Sequence, residues 1–252
     1  MNRIAVLVLL ATGFIGGGVA FAPLSAALSL TGAAASGLRW ASAEGTILSG
    51  TVRDLTLDGK PFGDAALDFS PSGLLSANIQ YTVDWNGPQG SGTGKISFAP
   101  GPTVSLRDYT LSIDLAELEQ AALWIRQSGG RVDLTGDVLR AGPAGCLSAE
   151  GMARSDVLER NRDILGSGWS PMQGTLRCDG EALIIPMTSE NQTGTRFQSV
   201  LRLAPNQTGQ FEARVTGIVP RELAFALPIA GFTLQGQDYV YLFQTSATSD
   251  PP

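Results

Sequence analysis

The stretch AEGTILSGTVRDLTLDGKPFGDAALDFSPSGLL, Ala43 to Leu75, decides the fold. Small and apolar residues alternate with polar ones through Thr46, Leu48, Gly50, Val52, Asp54 and Thr56. A period of two is what a strand with one buried face requires. Asp58-Gly59 and Phe62-Gly63 supply turn chemistry, because glycine reaches the positive φ of a tight reversal. A second alternating run, Ala65 to Phe69, leads into Pro71 and the pair Leu74-Leu75. The stretch therefore predicts a pair of β-strands.

Outward from it, composition bounds what the chain can do. With 252 residues, 43% of them hydrophobic, it is long and apolar enough for a real core. Seventeen basic against 23 acidic residues give a net charge of −6 and no basic cluster, which argues against nucleic acid as a partner. There is no histidine. That removes Ser-His-Asp triads, imidazole proton shuttles and histidine-containing zinc sites together. Two cysteines cannot make a four-thiolate site, so neither a metal nor a cofactor is expected.

Upstream, Ile4 to Leu38 carries no charged residue. Its dense apolar part, Ile4 to Ala22, nearly spans a hydrocarbon core of roughly 30 Å at about 1.5 Å per residue. Arg3 favours keeping the N-terminus inside and the remainder outside. A cleaved signal peptide is the alternative, with Ala20-Phe21-Ala22 as a small-x-small site. The expected division is an anchor over 1–30, a linker over 31–43, a β-rich domain over 44–245 and a loose tail over 246–252.

Downstream, Ser76–Trp85 and Gly92–Phe98 predict a hairpin across Asn86–Gly90. Val104 to Leu115 alternates with a slip near Arg107-Asp108, the mark of a bulge or bend. Asp114 caps a predicted helix through Gln127, ended by Gly129-Gly130, and strand alternation resumes from Arg131 to Leu139. A second helix is predicted over Ser155–Leu165. Ala182–Met187, Phe197–Leu203 and Gly209–Val215 read as strands, Pro220–Leu227 as a short helix or wide turn, and Leu234 to Phe243 as a final strand. Cys146 and Cys178 flank the second helix; in an oxidising compartment they are expected to pair, the alternative being two buried thiols.

The order GT-x-x-x-G, a short gap, G-x-x-x-G, then a strand ending in P-x-x-LL resembles the start of the periplasmic domain of the type II secretion system (general secretion pathway) protein N family. The matching residues are Gly45, Thr46, Gly50, Gly59, Gly63, Pro71, Leu74 and Leu75; Leu48 and Phe69 stand near positions where that family often has tryptophan. Pro171 to Gly180, with Cys178-Asp179 near its end, is similar to the family's second cysteine segment. The resemblance implies an N-terminal transmembrane helix followed by a large, curved antiparallel sheet with one or two short helices. It further implies a non-catalytic envelope component in the inner membrane. Its partners are then other secretion components, the inner-membrane platform first and the secretin as a further candidate, with no small-molecule substrate.

Other chemistry is weakly signalled. Glu117-x-Glu119 and Glu159 to Asp163 are the densest acidic sites, but acidic residues on helices usually form a solvated face. Ser70-Pro71-Ser72-Gly73 has no base nearby. Tyr81, Trp85, Trp169, Tyr239, Tyr241 and Phe243 are the better candidates for contact, since aromatics are enriched at interface centres. The alternative function is a periplasmic lipid- or hydrophobe-binding β-sheet module, because alternation alone does not separate a filled core from an apolar groove.

Overall fold

The computed structural model describes residues 22–30, 37–76, 78–99, 103–118, 123–205 and 208–245. The chain is mainly β, with antiparallel ladders and a few short helices, and it divides into two compact units, residues 1–93 and 94–252. Strand β6 (Gly90–Phe98) contains the division.

The first unit carries β1 (Leu38–Arg39), β2 (Ser42–Gly45), β3 (Ser49–Leu57), β4 (Lys60–Ser70) and β5 (Ile79–Gly87). β3 pairs with β1, β2 and β4, and β4 pairs with β5. Helix α1 (Leu24–Leu30) sets Leu24 against Val52 and Leu55, with Leu38, Trp40 and Leu67 partly buried around them. Part of the stretch read as anchor and linker thus belongs to this small core. Asp58 and Gly59 have φ of 52° and 80° and form the two-residue reversal between β3 and β4.

Two readings of the opening stretch are corrected. Phe62-Gly63 is no turn, for both residues lie inside β4. Gly63, at φ 97°, is needed because a Cβ there would come within 2.3 Å of Asn86 O and Gly87 Cα. The close approach lets the Trp85 Nε1–H donate to Phe62 O at 2.7 Å and stack its ring on Phe62 at 4.7 Å. Nor does the alternation run unbroken through Asp54 and Thr56. The register of β3 against β4 shifts between Val52 and Leu55, and Asp54 is left-handed at φ 50° with its amide donating to Asp64 Oδ1 at 2.9 Å. This bulge reverses the phase, so Leu55 turns to the core and the Asp54 carboxylate stays in water.

The second unit holds β7 (Val104–Asp114), β8 (Arg131–Gly142), β9 (Gly145–Ser155), β10 (Met172–Asp179), β11 (Ala182–Glu190), β12 (Thr195–Leu203), β13 (Gly209–Gly217), β14 (Thr233–Gln235) and β15 (Asp238–Thr245). They lie side by side in chain order, except that β15 pairs with β13 and β14 takes the outer place beside β15. Helices α2 (Leu123–Ser128), α3 (Val157–Arg160), α4 (Arg162–Leu165) and α5 (Arg221–Ile229) interrupt the run. The larger core places Leu158, Leu165, Leu223 and Leu227 against Met172, Phe197 and Val215; a smaller one gathers Tyr109, Leu134, Ala153, Leu176 and Ile185.

Two helical segments are shorter than predicted, while Pro220–Leu227, read as a short helix or wide turn, falls on the helix α5, Arg221–Ile229. In place of one helix over 115–127 there is a 3₁₀ turn, Leu115–Glu117, and then α2; residues 119–122 lie outside the described residues. Asp114 does cap the turn, accepting from Ala116 N at 2.9 Å. Ser155 closes β9, and the helix expected after it is split into α3 and α4 by Asn161. The slip in β7 is a left-handed Asp108, at φ 46°. Leu234 to Phe243 is a hairpin of β14 and β15 where one strand was expected. Of the expected membrane anchor, residues 1–30, residues 1–21 lie outside the described residues, and Leu24–Leu30 is the short helix α1. Among the described residues no helix is long and apolar enough to cross a membrane.

Cys146 and Cys178 form a disulfide with Cα atoms 5.6 Å apart. It joins β9 to β10 at the end away from α3 and α4, where Cys146 N also donates to Glu181 O at 2.8 Å. The bridge closes a loop of sequence separation 32, for which chain entropy gives about 3–4 kcal/mol. Reduction, or Cys146→Ser with Cys178→Ser, is expected to lower unfolding free energy in urea by that order; an unchanged midpoint would show that the bridge adds nothing. In the first unit, Gly63→Ala should cost about 1–3 kcal/mol in the same assay. Gly59→Ala, left-handed but with open space around it, should cost less than Gly63→Ala.

Candidate functional site

In an antiparallel ladder directly opposed residues point to the same face. The register of the second unit lines up Ala153, Gly174, Met187, Ser199 and Ala213, with Leu134 preceding the row and Tyr241 following it. Four of the five central positions are small, so the inner face is low along this line. Ile185, Leu201, Phe211 and Phe243 stand in register on one side of it. Met172 and Phe197 stand on the other. Between these walls lies a groove of about 270 Å³. Ile125 of α2, Val157 of α3 and Phe232 after α5 also line it.

The groove is apolar almost throughout. Its polar side chains are Ser155, Ser199 and the phenol of Tyr241, and no charged side chain lines it among the described residues. Ser155 Oγ accepts from Val157 N at 3.3 Å. Ser199 is 3% exposed, and its Oγ has no hydrogen-bond partner among the described residues. The charges lie on the opposite phase of the strands: Glu190 pairs with Arg196, Asp179 with Arg202, and Arg214 with both Glu212 and Asp238.

The residues singled out in the sequence are scattered. Tyr241 and Phe243 line the groove; Trp169 is a core residue that donates its Nε1–H to Leu165 O at 3.0 Å and packs edge-on to Phe197. Tyr81 and Trp85 belong to the first unit, against Phe69 and Phe62. Glu117, Glu159 and Asp163 are exposed, and the described residues contain no cluster of three potential metal ligands. Ser70 and Ser72 hydrogen-bond to each other at 2.8 Å. Sequence reasoning missed Phe211 and Ser199; the signal was a lone hydroxyl in the inward phase of Phe197, Ser199 and Leu201.

The family model for type II secretion system protein N matches residues 36–242. The chain belongs to this family. Comparisons with curated proteins and with solved structures found no match. The family match runs from just before β1 into β15. The glycine-rich opening it resembles builds the seat for α1. Gly45, at φ 88°, turns β2 into β3; Thr46 Oγ1 accepts from Leu48 N and Ser49 N at 3.2 and 3.3 Å. A Cβ on Gly50 would come within 2.8 Å of Leu24 Cδ2. Pro71, Leu74 and Leu75 fall in the 3₁₀ helix Pro71–Ser76.

Asp156 pins one rim of the groove. Its Oδ1 accepts from Arg131 N and its Oδ2 from Arg160 Nε, each at 2.6 Å, which ties the start of β8 to α3 beside the lining residues Val132 and Val157. Partial burial pushes the carboxyl up, but the Arg160 guanidinium and the Arg131 amide outweigh it and hold it below the usual carboxylate range. A depressed folded value means that this contribution is present above the unfolded value of about 3.9 and is lost as pH falls through the folded one. Asp156→Asn should therefore lose about 1 kcal/mol at pH 7 and show a shallower stability loss below pH about 4 than the parent chain, read by urea unfolding at each pH. Parallel pH profiles would contradict the assignment.

Proposed function

We propose that the chain is a non-catalytic part of the type II secretion machinery, held in the inner membrane by residues 4–22, with its β-rich region in the periplasm. It works by contact with other secretion components, the inner-membrane platform first and the secretin as a further candidate. The observation that carries this reading is the family match over residues 36–242. The Cys146–Cys178 bridge supports placement outside the reducing cytoplasm. A chain without histidine has few routes to acid–base chemistry near neutral pH, which supports a contact role over catalysis.

Deleting the gene should leave exoproteins in the periplasm, and a single-copy wild-type gene should restore their release. Normal release from the deletion strain would overturn the reading. Purification of the membrane-extracted full chain should bring down a platform component; its absence from repeated purifications would remove the proposed contacts.

A further inference from the structure

We infer that the groove of the second unit holds one acyl chain of a lipid. A cavity of roughly 150 Å³ lined by Leu, Ile and Phe stays dry and takes an apolar guest. This groove has about 270 Å³ with a similar lining.

The floor runs across β10 to β13, each paired on both sides, so their amides and carbonyls are engaged in ladders. An extended peptide laid across them would bury its own N–H and C=O groups without partners, at a cost of a few kcal/mol for each. A hydrocarbon chain has no such groups. From β9 to β15 there are five strand spacings of about 4.8 Å, a path of roughly 24 Å. That accommodates a chain that fills half of a hydrocarbon core of roughly 30 Å.

The buried Ser199 hydroxyl sits in the floor without a partner among the described residues, an arrangement that costs free energy unless a guest supplies an acceptor. The ester carbonyl of an acyl chain seated over β12 would be such an acceptor, with the chain running across β11 and β10 to β9, three strand spacings or roughly 14 Å. The inference stands apart from the secretion reading, because occupancy is read whether or not exoproteins are released.

The test is photocrosslinking in cells with the full chain, placing p-benzoylphenylalanine at Phe211, at Phe243 and, on the outer phase, at Val200. Mass spectrometry of the irradiated, purified chain is expected to find adducts of lipid mass at Phe211 and Phe243 and none at Val200. Ala213→Trp, which fills the floor, should reduce the Phe243 adduct at least fivefold. A protein-sized adduct at the groove positions, equal lipid labelling at Val200, or no adduct at either groove position while the Cys146–Cys178 bridge is intact would overturn it. Two groove positions and the disulfide readout keep a misfolded variant from deciding the result.

Discussion

Cross-strand register in the second unit is the constraint on which the rest depends. A strand presents a new face with every residue, so a slip of one position between β12 and β13 would move Ser199 off the line of Ala213 and turn Phe197 and Leu201 outward. Because Met187, Ser199 and Ala213 stay opposed, the small side chains form a floor and the large ones form walls. The same register keeps Arg196, Arg202 and Arg214 on the outer phase, where each meets a carboxylate in water.

Covalent and polar ties hold the two ends of the β9–β10 pair. The disulfide closes the end distant from the helices, and Asp156 binds the helical end to β8. Between them, Leu158, Leu165, Leu223 and Leu227 of α3, α4 and α5 pack in one core with Phe197, Ala213 and Val215, while Phe211 and Tyr241 beside it are half-buried. A packed core and an apolar groove are therefore neighbouring parts of one face. Their difference comes from where the helices sit and from the size of the side chains below them.

Much of this was legible from residue order. Strand alternation located β4, β8, β11, β12 and β13, the Asp58-Gly59 turn formed as read, and the two cysteines paired. The phase of β3 was not legible, because a bulge at Asp54 depends on a carboxylate ten residues away at Asp64. Helix lengths were overestimated where a periodic apolar stripe opens as the 3₁₀ turn Leu115–Glu117 and not as an α-helix. The groove itself was only an open alternative in the sequence. A period of two assigns Phe211 and Ser199 to a face, but whether that face is covered depends on contacts with helices far along the chain.

The register between β12 and β13 that makes the floor can be read with paired cysteines. With a short bifunctional thiol reagent, Val200→Cys combined with Glu212→Cys should crosslink within the chain, since these residues are opposed on the outer phase with Cβ atoms about 4.5–5.5 Å apart. Val200→Cys combined with Phe211→Cys should not, because those side chains leave opposite faces. Efficient crosslinking of the second pair and none of the first would contradict the account.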